Sequence, residues 1–219
     1  MSLLVATLAA TALAAPTHAQ LEAASWSSIG SRAHADAGTV QLYSAPIGGL
    51  TCLKGSASVA VPPATLLAVA SDIPSATRWS TAGLTRSELL SKSGSTLQYW
   101  QYLDIPAWTM ASDRFWFLQS TIGTSGNLSY LKWSPLPAGH PHAAKVQAVR
   151  AEHPDAVEPA VNVGGWYFKA NGATTTVDYL VCTDPGGSIP AAVQSAAERR
   201  TLPDTVGDLV REAKRRAGS

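Results

Sequence analysis

The sequence predicts an α+β fold, and three observations predict it. Residues 82–183 hold a succession of short strand-like runs separated by turn formers, a Pro-initiated helical stretch precedes them, and a charged amphipathic segment closes the chain. In that last segment, 203-PDTVGDLVREAKRRAG-218, Val206, Leu209, Val210 and Ala213 recur at i, i+3, i+4 and i+7. Such a helix must lay its stripe on another element, and the concave face of an antiparallel meander is the only partner large enough.

The elements read as follows from the N-terminus. Residues 1–19 have the pattern of a secretory signal: an apolar run from Leu3 to Ala15, then Pro16, then the small-x-small Thr17-His18-Ala19, with cleavage expected after Ala19. The remaining 219 − 19 = 200 residues, 20–219, suit a single domain. Residues 21–29 are expected as a short helix, and 39–43 and 50–61 as strands joined by SAPIGG. Pro62-Pro63 open 62-PPATLLAVASD-72, a short helix followed by a second fragment, IPSATRW.

The strand-like runs are LTRSELLSK, STLQYWQYLD, SDRFWFLQSTI, LSYLKW, AKVQAVRAEH, AVNVGGWYFKA and ATTTVDYLVC. Gly94, Pro106, the glycines from Gly123 to Gly126, the prolines from Pro135 to Pro141, Pro154 and the Asn171-Gly172 hairpin pair divide them. The stretch 184-DPGGSIP-190 then turns the last strand into a helix that runs through PAAVQSAAERR to the end, with a kink expected at Pro203.

Composition narrows the function. Sixteen basic and fifteen acidic side chains give a net charge of +1, which leaves no electrostatic footprint for nucleic acid. No later apolar stretch reaches the length of a membrane span. Cys52 and Cys182 fall on two different expected strands, either paired in an oxidising compartment or sitting as small buried hydrophobes.

The order of signals resembles the START (StAR-related lipid transfer) family of the helix-grip, or SRPBCC-like, superfamily. The resemblance is carried by the Pro-initiated helix ending in Ser71-Asp72 and followed by Trp79; by 99-YWQYLDIPAW-108 and Ser112-Asp113-Arg114-Phe115; and by Gly165-Trp166 before the Asn-Gly hairpin. Thr176 to Tyr179 and DPGGSIP with its helix through Leu202-Pro203 complete it. It covers residues 24–216. The family usually places an Asp after the Trp, where this chain has Ser80, and Arg-Asp-Phe where this chain has Asp113-Arg114-Phe115, so contacts that depend on those acids are not carried over.

The resemblance implies a curved antiparallel sheet wrapped around a long C-terminal helix, with a hydrophobic tunnel between them. The implied activity is binding a lipid, whether sterol, phospholipid or similar, for transfer or sensing. Trp79, Tyr99, Gln101, Leu103, Arg114, Trp116, Leu118, Trp166, Tyr179, Val193, Val206, Leu209 and Val210 are the expected lining, and Gly186 and Gly187 the gate. Alternation sets Arg114, Trp116 and Leu118 opposite Phe115 and Phe117, and Tyr99, Gln101 and Leu103 opposite Trp100 and Tyr102, but leaves open which set faces inward. Plain core packing accounts for about half of the aromatic residues, because such side chains favour strands anyway. Arg114 and Arg150 belong either at the rim or inside with an acid such as Asp104, Asp178 or Glu152.

The second reading is a cyclase or hydrolase on the same fold, for which Asp104, Arg114, Asp178 and Tyr179 are the available groups. G-x-S-x-G, H-E-x-x-H, the P-loop and the Rossmann fingerprint are all missing from the sequence, so no catalytic residue is assigned and the enzyme reading stands second. His140 and His142 in GHPHAA read as a surface loop, and neither metal nor cofactor is expected. Arg211, Lys214, Arg215 and Arg216 either complement the helix dipole or make transient contact with an anionic membrane. The expectation is a periplasmic or secreted monomer.

Overall fold

The computed structural model describes residues 15–105, 111–184 and 191–218, with the backbone alone for 191–198. Its elements are α1 (His18–Ala23), β1 (Ser27–His34), β2 (Gly38–Ile47), β3 (Leu50–Val59), α2 (Pro63–Ser71), a 3₁₀ turn (Ile73–Ser75) and α3 (Ala76–Trp79). There follow β4 (Leu84–Ser93), β5 (Thr96–Leu103), β6 (Arg114–Ser125), β7 (Leu128–Pro135), α4 (Ala143–Glu152), β8 (Val161–Asn171), β9 (Thr174–Asp184) and α5 (Ala191–Ala217).

The nine strands form one curved antiparallel sheet in the order β1-β2-β3-β9-β8-β7-β6-β5-β4. Every neighbour pair is a hairpin or joins consecutive strands, except β3 with β9. That single non-local pairing is what requires the crossover: the chain leaves β3 in the middle of the sheet and must travel to β4 at its edge. The segment from α2 to α3 makes the journey, passing over β7 and β8 and reaching β4. Pro63 in the first turn of α2 loses no hydrogen bond that an interior residue would make.

The sheet buries both faces. On one face α5 lies over β1, β2, β3 and β9 while α2 lies over β7 and β8. Leu202, Val206, Leu209, Val210 and Ala213 of α5 join Val40, Leu42, Leu53, Ala57, Tyr99, Leu118, Trp133, Trp166, Phe168 and Val177 in one cluster. Gly55 makes room for the helix: a Cβ there would stand 3.1 Å from both Leu202 and Val206. The helix runs unbroken through Pro203.

The opposite face carries two smaller clusters. In the first, Leu21 of α1 covers the Cys52–Cys182 disulfide together with Ile47, Val161, Val163, Tyr167 and Leu180. The two cysteines face each other across β3 and β9, with Cα atoms 4.4 Å apart, which decides between the alternatives left open by the sequence. In the second, Val146 and Val149 of α4 close over Trp100, Tyr102, Phe115 and Phe117.

Three sequence expectations are corrected. Residues 144–152 are helix rather than strand, because Val146 and Val149 cover that aromatic patch from one helix face and the rest of the stretch is Ala, Lys, Gln, Arg and Glu, all good helix formers, with His153 as the C-cap. Residues 21–29 are not one helix. A capping box, in which the Thr17 side chain accepts from the Gln20 N–H and the Gln20 side chain accepts from the Thr17 N–H, starts α1 earlier, and the chain is a strand by Ser27. Gly123 is interior to β6, where it leaves space for the Tyr130 ring lying across it, and the turn is made by Gly126 at φ 59°. Asn171-Gly172 does close the β8–β9 hairpin, with Gly172 at φ 64°.

Gly207 on α5 provides a test of the seam. A Cβ there would overlap the His34 ring, which is held by the Asp36 N–H donating to Nδ1 at 3.1 Å. In an open helix Gly→Ala gains about 1 kcal/mol. Gly207→Ala should instead destabilise by about 1–2 kcal/mol through overpacking, and the ordinary gain should return in a His34→Ala background, as read by denaturant unfolding of the four proteins.

Candidate functional site

The register settles which side chains face α5. Tyr99, Leu118 and Trp166 lie in the main cluster, so their alternation partners Gln101, Leu103, Arg114 and Trp116 point to the same side, and Tyr179 opposite Trp166 does too. Trp100, Tyr102, Phe115 and Phe117 face α4 on the other side. Val206, Leu209 and Val210 are fully buried in the seam. The Val193 side chain, Gly186, Gly187 and Trp108 lie outside the described residues.

Packing on this face is uneven. Over β3 the helix is in direct contact with the sheet, whereas Trp79, Leu89, Trp116, Ile122, Tyr179 and Val181 border the cluster only partly buried. Large apolar side chains thus stand at the border of the core without being fully buried. The rings of Trp166 and Tyr179 lie 4.5 Å apart, and Trp133 and Tyr179 5.6 Å, so these three form a connected aromatic wall.

The few polar groups on this wall are placed individually. Tyr99 Oη and Ser120 Oγ share a buried hydrogen bond of 2.9 Å, and burial pushes the phenol well above its usual range. Trp133 Nε1 donates to Asn162 Oδ1 at 2.9 Å, and Gln101 Nε2 donates to Ser87 Oγ, which donates to the Ile73 carbonyl. Arg114 is 4% exposed and donates to the Ser112 and Asp113 carbonyls; loss of solvent lowers its affinity for the proton, with Asp113 opposing. Arg150, in contrast, is an exposed residue of α4 paired with Glu158 at 2.6 Å, and Glu152 pairs with Arg86.

Of the four groups available for catalysis, Arg114 and Tyr179 face α5. Asp178 lies on the other side of the sheet with Lys54 at 3.0 Å and Ser56 at 2.5 Å, and Asp104 is exposed beside Thr85. Neither acid expected as a catalyst therefore meets the aromatic wall. His142 accepts or donates at Gln98 across 2.8 Å, and among the described residues no group of three His, Cys, Asp or Glu could hold a metal ion. Nor is any described helix long and apolar enough to cross a membrane.

At its C-terminal end α5 carries two acids that the sequence reading missed. Asp208, 1% exposed, accepts from the Thr81 N–H at 2.6 Å, from Thr81 Oγ1 at 2.7 Å and from Arg211 at 2.7 Å. Glu212 accepts from both Arg215 and Arg216 at 2.7 Å, and Arg216 reaches on to Asp72 and Ser75 at 2.9 Å. Arg211 also donates to the Trp79 carbonyl and Lys214 to the Asp36 carbonyl. All four terminal cations thus have partners inside the molecule, and they tie α5 to α2, α3 and the β1–β2 turn. The readable signal was the i, i+4 spacing of Asp208 and Glu212 beside the apolar stripe. An open crevice of about 390 Å³ remains between α3 and α5, lined by Arg78, Trp79, Arg211, Glu212 and Arg215.

Comparison with known proteins gives the fold a place. No protein-family model matches the sequence, and no curated protein matches it. Among solved structures, human StAR-related lipid transfer protein 5 aligns over 88% of this chain and 88% of its own, with TM-score 0.70 and 15% identity. A STAR-related lipid transfer protein from Xanthomonas axonopodis aligns over 86% of this chain and 98% of its own, with TM-score 0.65 and 19% identity. The Zhui aromatase/cyclase from Streptomyces sp. R1128 aligns less closely, over 76% of this chain and 94% of its own, with TM-score 0.54 and 10% identity.

The latch at Glu212 sets an acid response. Hydrogen bonds from Arg215 and then Arg216, against the pull of burial, hold its carboxyl down at about 2 from an ordinary 4.5. A depressed folded-state value means that the stabilisation is fully present above about pH 4.5 and is lost as the pH falls toward 2. Glu212→Gln should therefore flatten the fall in unfolding midpoint across that window while changing little of its slope above it, as followed by thermal melts at stepped pH.

Proposed function

On the START-type helix-grip fold that this chain shares with the human and Xanthomonas proteins, we propose that it binds one hydrophobic molecule, a lipid, between the sheet and α5, acting as a monomer in lipid transfer or sensing. The observation that supports the reading is the set of large side chains, Trp79, Trp116 and Tyr179 among them, that border the core beneath α5 only partly buried. Apolar ligand surface laid against it contributes about 25 cal/mol per Å². Entry requires α5 or its flanking segments to move. The two-thirds-exposed Arg215 at the end of α5 is where an anionic membrane surface would be met.

A fully buried disulfide supports residence in an oxidising compartment, secreted or periplasmic. In that reading the leader ends before α1. Pro16 is buried, Thr17 caps the helix, and His18 Nε2 lies 2.9 Å from the Trp133 carbonyl and 3.2 Å from that of Gly164, so a cut after Ala19 would remove all three contacts. Ala12-Leu13-Ala14 supplies an alternative small-x-small site.

Two measurements test these statements. Delipidated protein incubated with a membrane extract should carry bound lipid in a native mass spectrum at one per chain, and protein that emerges empty refutes the binding reading. The exported chain should begin at Ala15 on N-terminal sequencing, and a start at Gln20 refutes the placement of the cut.

A further inference from the structure

We infer that the bound molecule carries an acceptor oxygen, of the carbonyl type found in ketones, esters and amides, that takes the indole N–H of Trp116. The inference rests on the lipid-binding reading and goes further by naming what the lipid must present. Its starting point is an asymmetry among tryptophans of one sheet. Trp133 donates to Asn162 at 2.9 Å and Trp100 donates to Glu88 at 2.8 Å, as buried indoles normally do. Trp116 Nε1 is equally shielded from solvent, yet among the described residues it has no hydrogen-bond partner. A buried donor without an acceptor is costly to keep, and Trp79 Nε1 at the end of α3 is in the same state.

The surroundings define the missing partner. Trp116 borders the main apolar cluster from the α5 side of β6, between Arg114 and Leu118 and opposite Gln101. Arg114 brings only N–H donors, which it gives to the Ser112 and Asp113 carbonyls, and the Gln101 amide nitrogen is drawn toward Ser87. Of Arg114, Leu118 and Gln101, only Gln101 also carries an acceptor oxygen. A ligand hydroxyl could accept from the indole only while placing its own O–H on a further acceptor, whereas a carbonyl oxygen needs no such second partner. The nitrogen is shielded from solvent, and the acceptor we assign to it is supplied by the molecule bound between the sheet and α5.

A site that hydrogen-bonds one ligand atom discriminates against the isostere that lacks it. The test uses two matched pairs, 5α-cholestan-3-one against 5α-cholestane and methyl oleate against a C18 alkene, each offered in equimolar competition to the delipidated full-length protein and read by native mass spectrometry. The carbonyl member of at least one pair should win by on the order of tenfold. In Trp116→Phe, which keeps an aromatic ring and loses the N–H, both members of a pair lose the same ring contact, so the preference for the carbonyl member should collapse to near unity.

Equal occupancy of ketone and hydrocarbon, and of ester and hydrocarbon, in the unsubstituted protein overturns the inference without a variant being needed. A preference that survives in Trp116→Phe overturns it as well. Failure of all four probes to bind counts against the lipid-binding reading itself and is thereby distinguished from failure of the Trp116 assignment.

Discussion

Leu202 and Val206 rest on Gly55, and the remainder of the molecule is arranged around that contact. Because β3 offers a glycine at this point, the helix axis comes close enough for Val206, Leu209, Val210 and Ala213 to be wholly buried. Gly207 repeats the device from the helix side by admitting His34 of β1. With the helix drawn tightly onto β3 and the adjoining strands, the rest of this face is left to smaller elements, α2 over β7 and β8 and the 3₁₀ turn and α3 at β4. Trp79 and Trp116 border the core only partly buried. Tight packing on one side and incomplete packing on the other are thus two results of the same geometry.

A second constraint holds the helix end in place. Asp208 and Glu212 sit one turn apart next to the apolar stripe, and each is answered by hydrogen bonds: Thr81 and Arg211 for the first, Arg215 and Arg216 for the second. Removing a partner from a buried carboxylate such as Asp208 would leave an uncompensated charge, so the end of α5 is fixed to α3 in one register. The pattern that the sequence resembles has an acid after the tryptophan, where this chain has Ser80. Here the neighbouring Thr81 is held by an acid from α5, so a carboxylate does anchor this stretch but comes from the helix.

The outer face explains how so thin a sheet stays rigid enough to carry an interior. The disulfide staples β3 to β9, the only non-local strand pairing, and a cross-link closing so long a loop is of the kind that stabilises by about 2–5 kcal/mol. Leu21 of α1 covers it, and Glu22 receives Lys132 and Tyr167; burial pulls its carboxyl upward, but the two hydrogen bonds win and lower it. Further along, α4 covers Trp100 and Phe117. Both additions put apolar mass behind the strands that bear Trp133, Trp166 and Trp116 on their other side.

Local pattern in the sequence was enough to determine the class of fold, nearly all the strands, the Pro-initiated crossover and the amphipathic terminal helix, because alternation and the i, i+3, i+4 period are properties of neighbouring residues. It also grouped Tyr99, Gln101 and Leu103, and Arg114, Trp116 and Leu118, correctly as sets. What it could not determine was which set faced the helix, since period two is symmetric until something covers one side; nor that AKVQAVRAEH is a helix, since that depends on the aromatic patch of β5 and β6 lying beneath it. The pairing of Cys52 with Cys182, 130 residues apart, the burial of Asp208 and the unanswered N–H of Trp116 were likewise decided only by the tertiary structure, because each is a relation between elements that the chain brings together by the single pairing of β3 with β9.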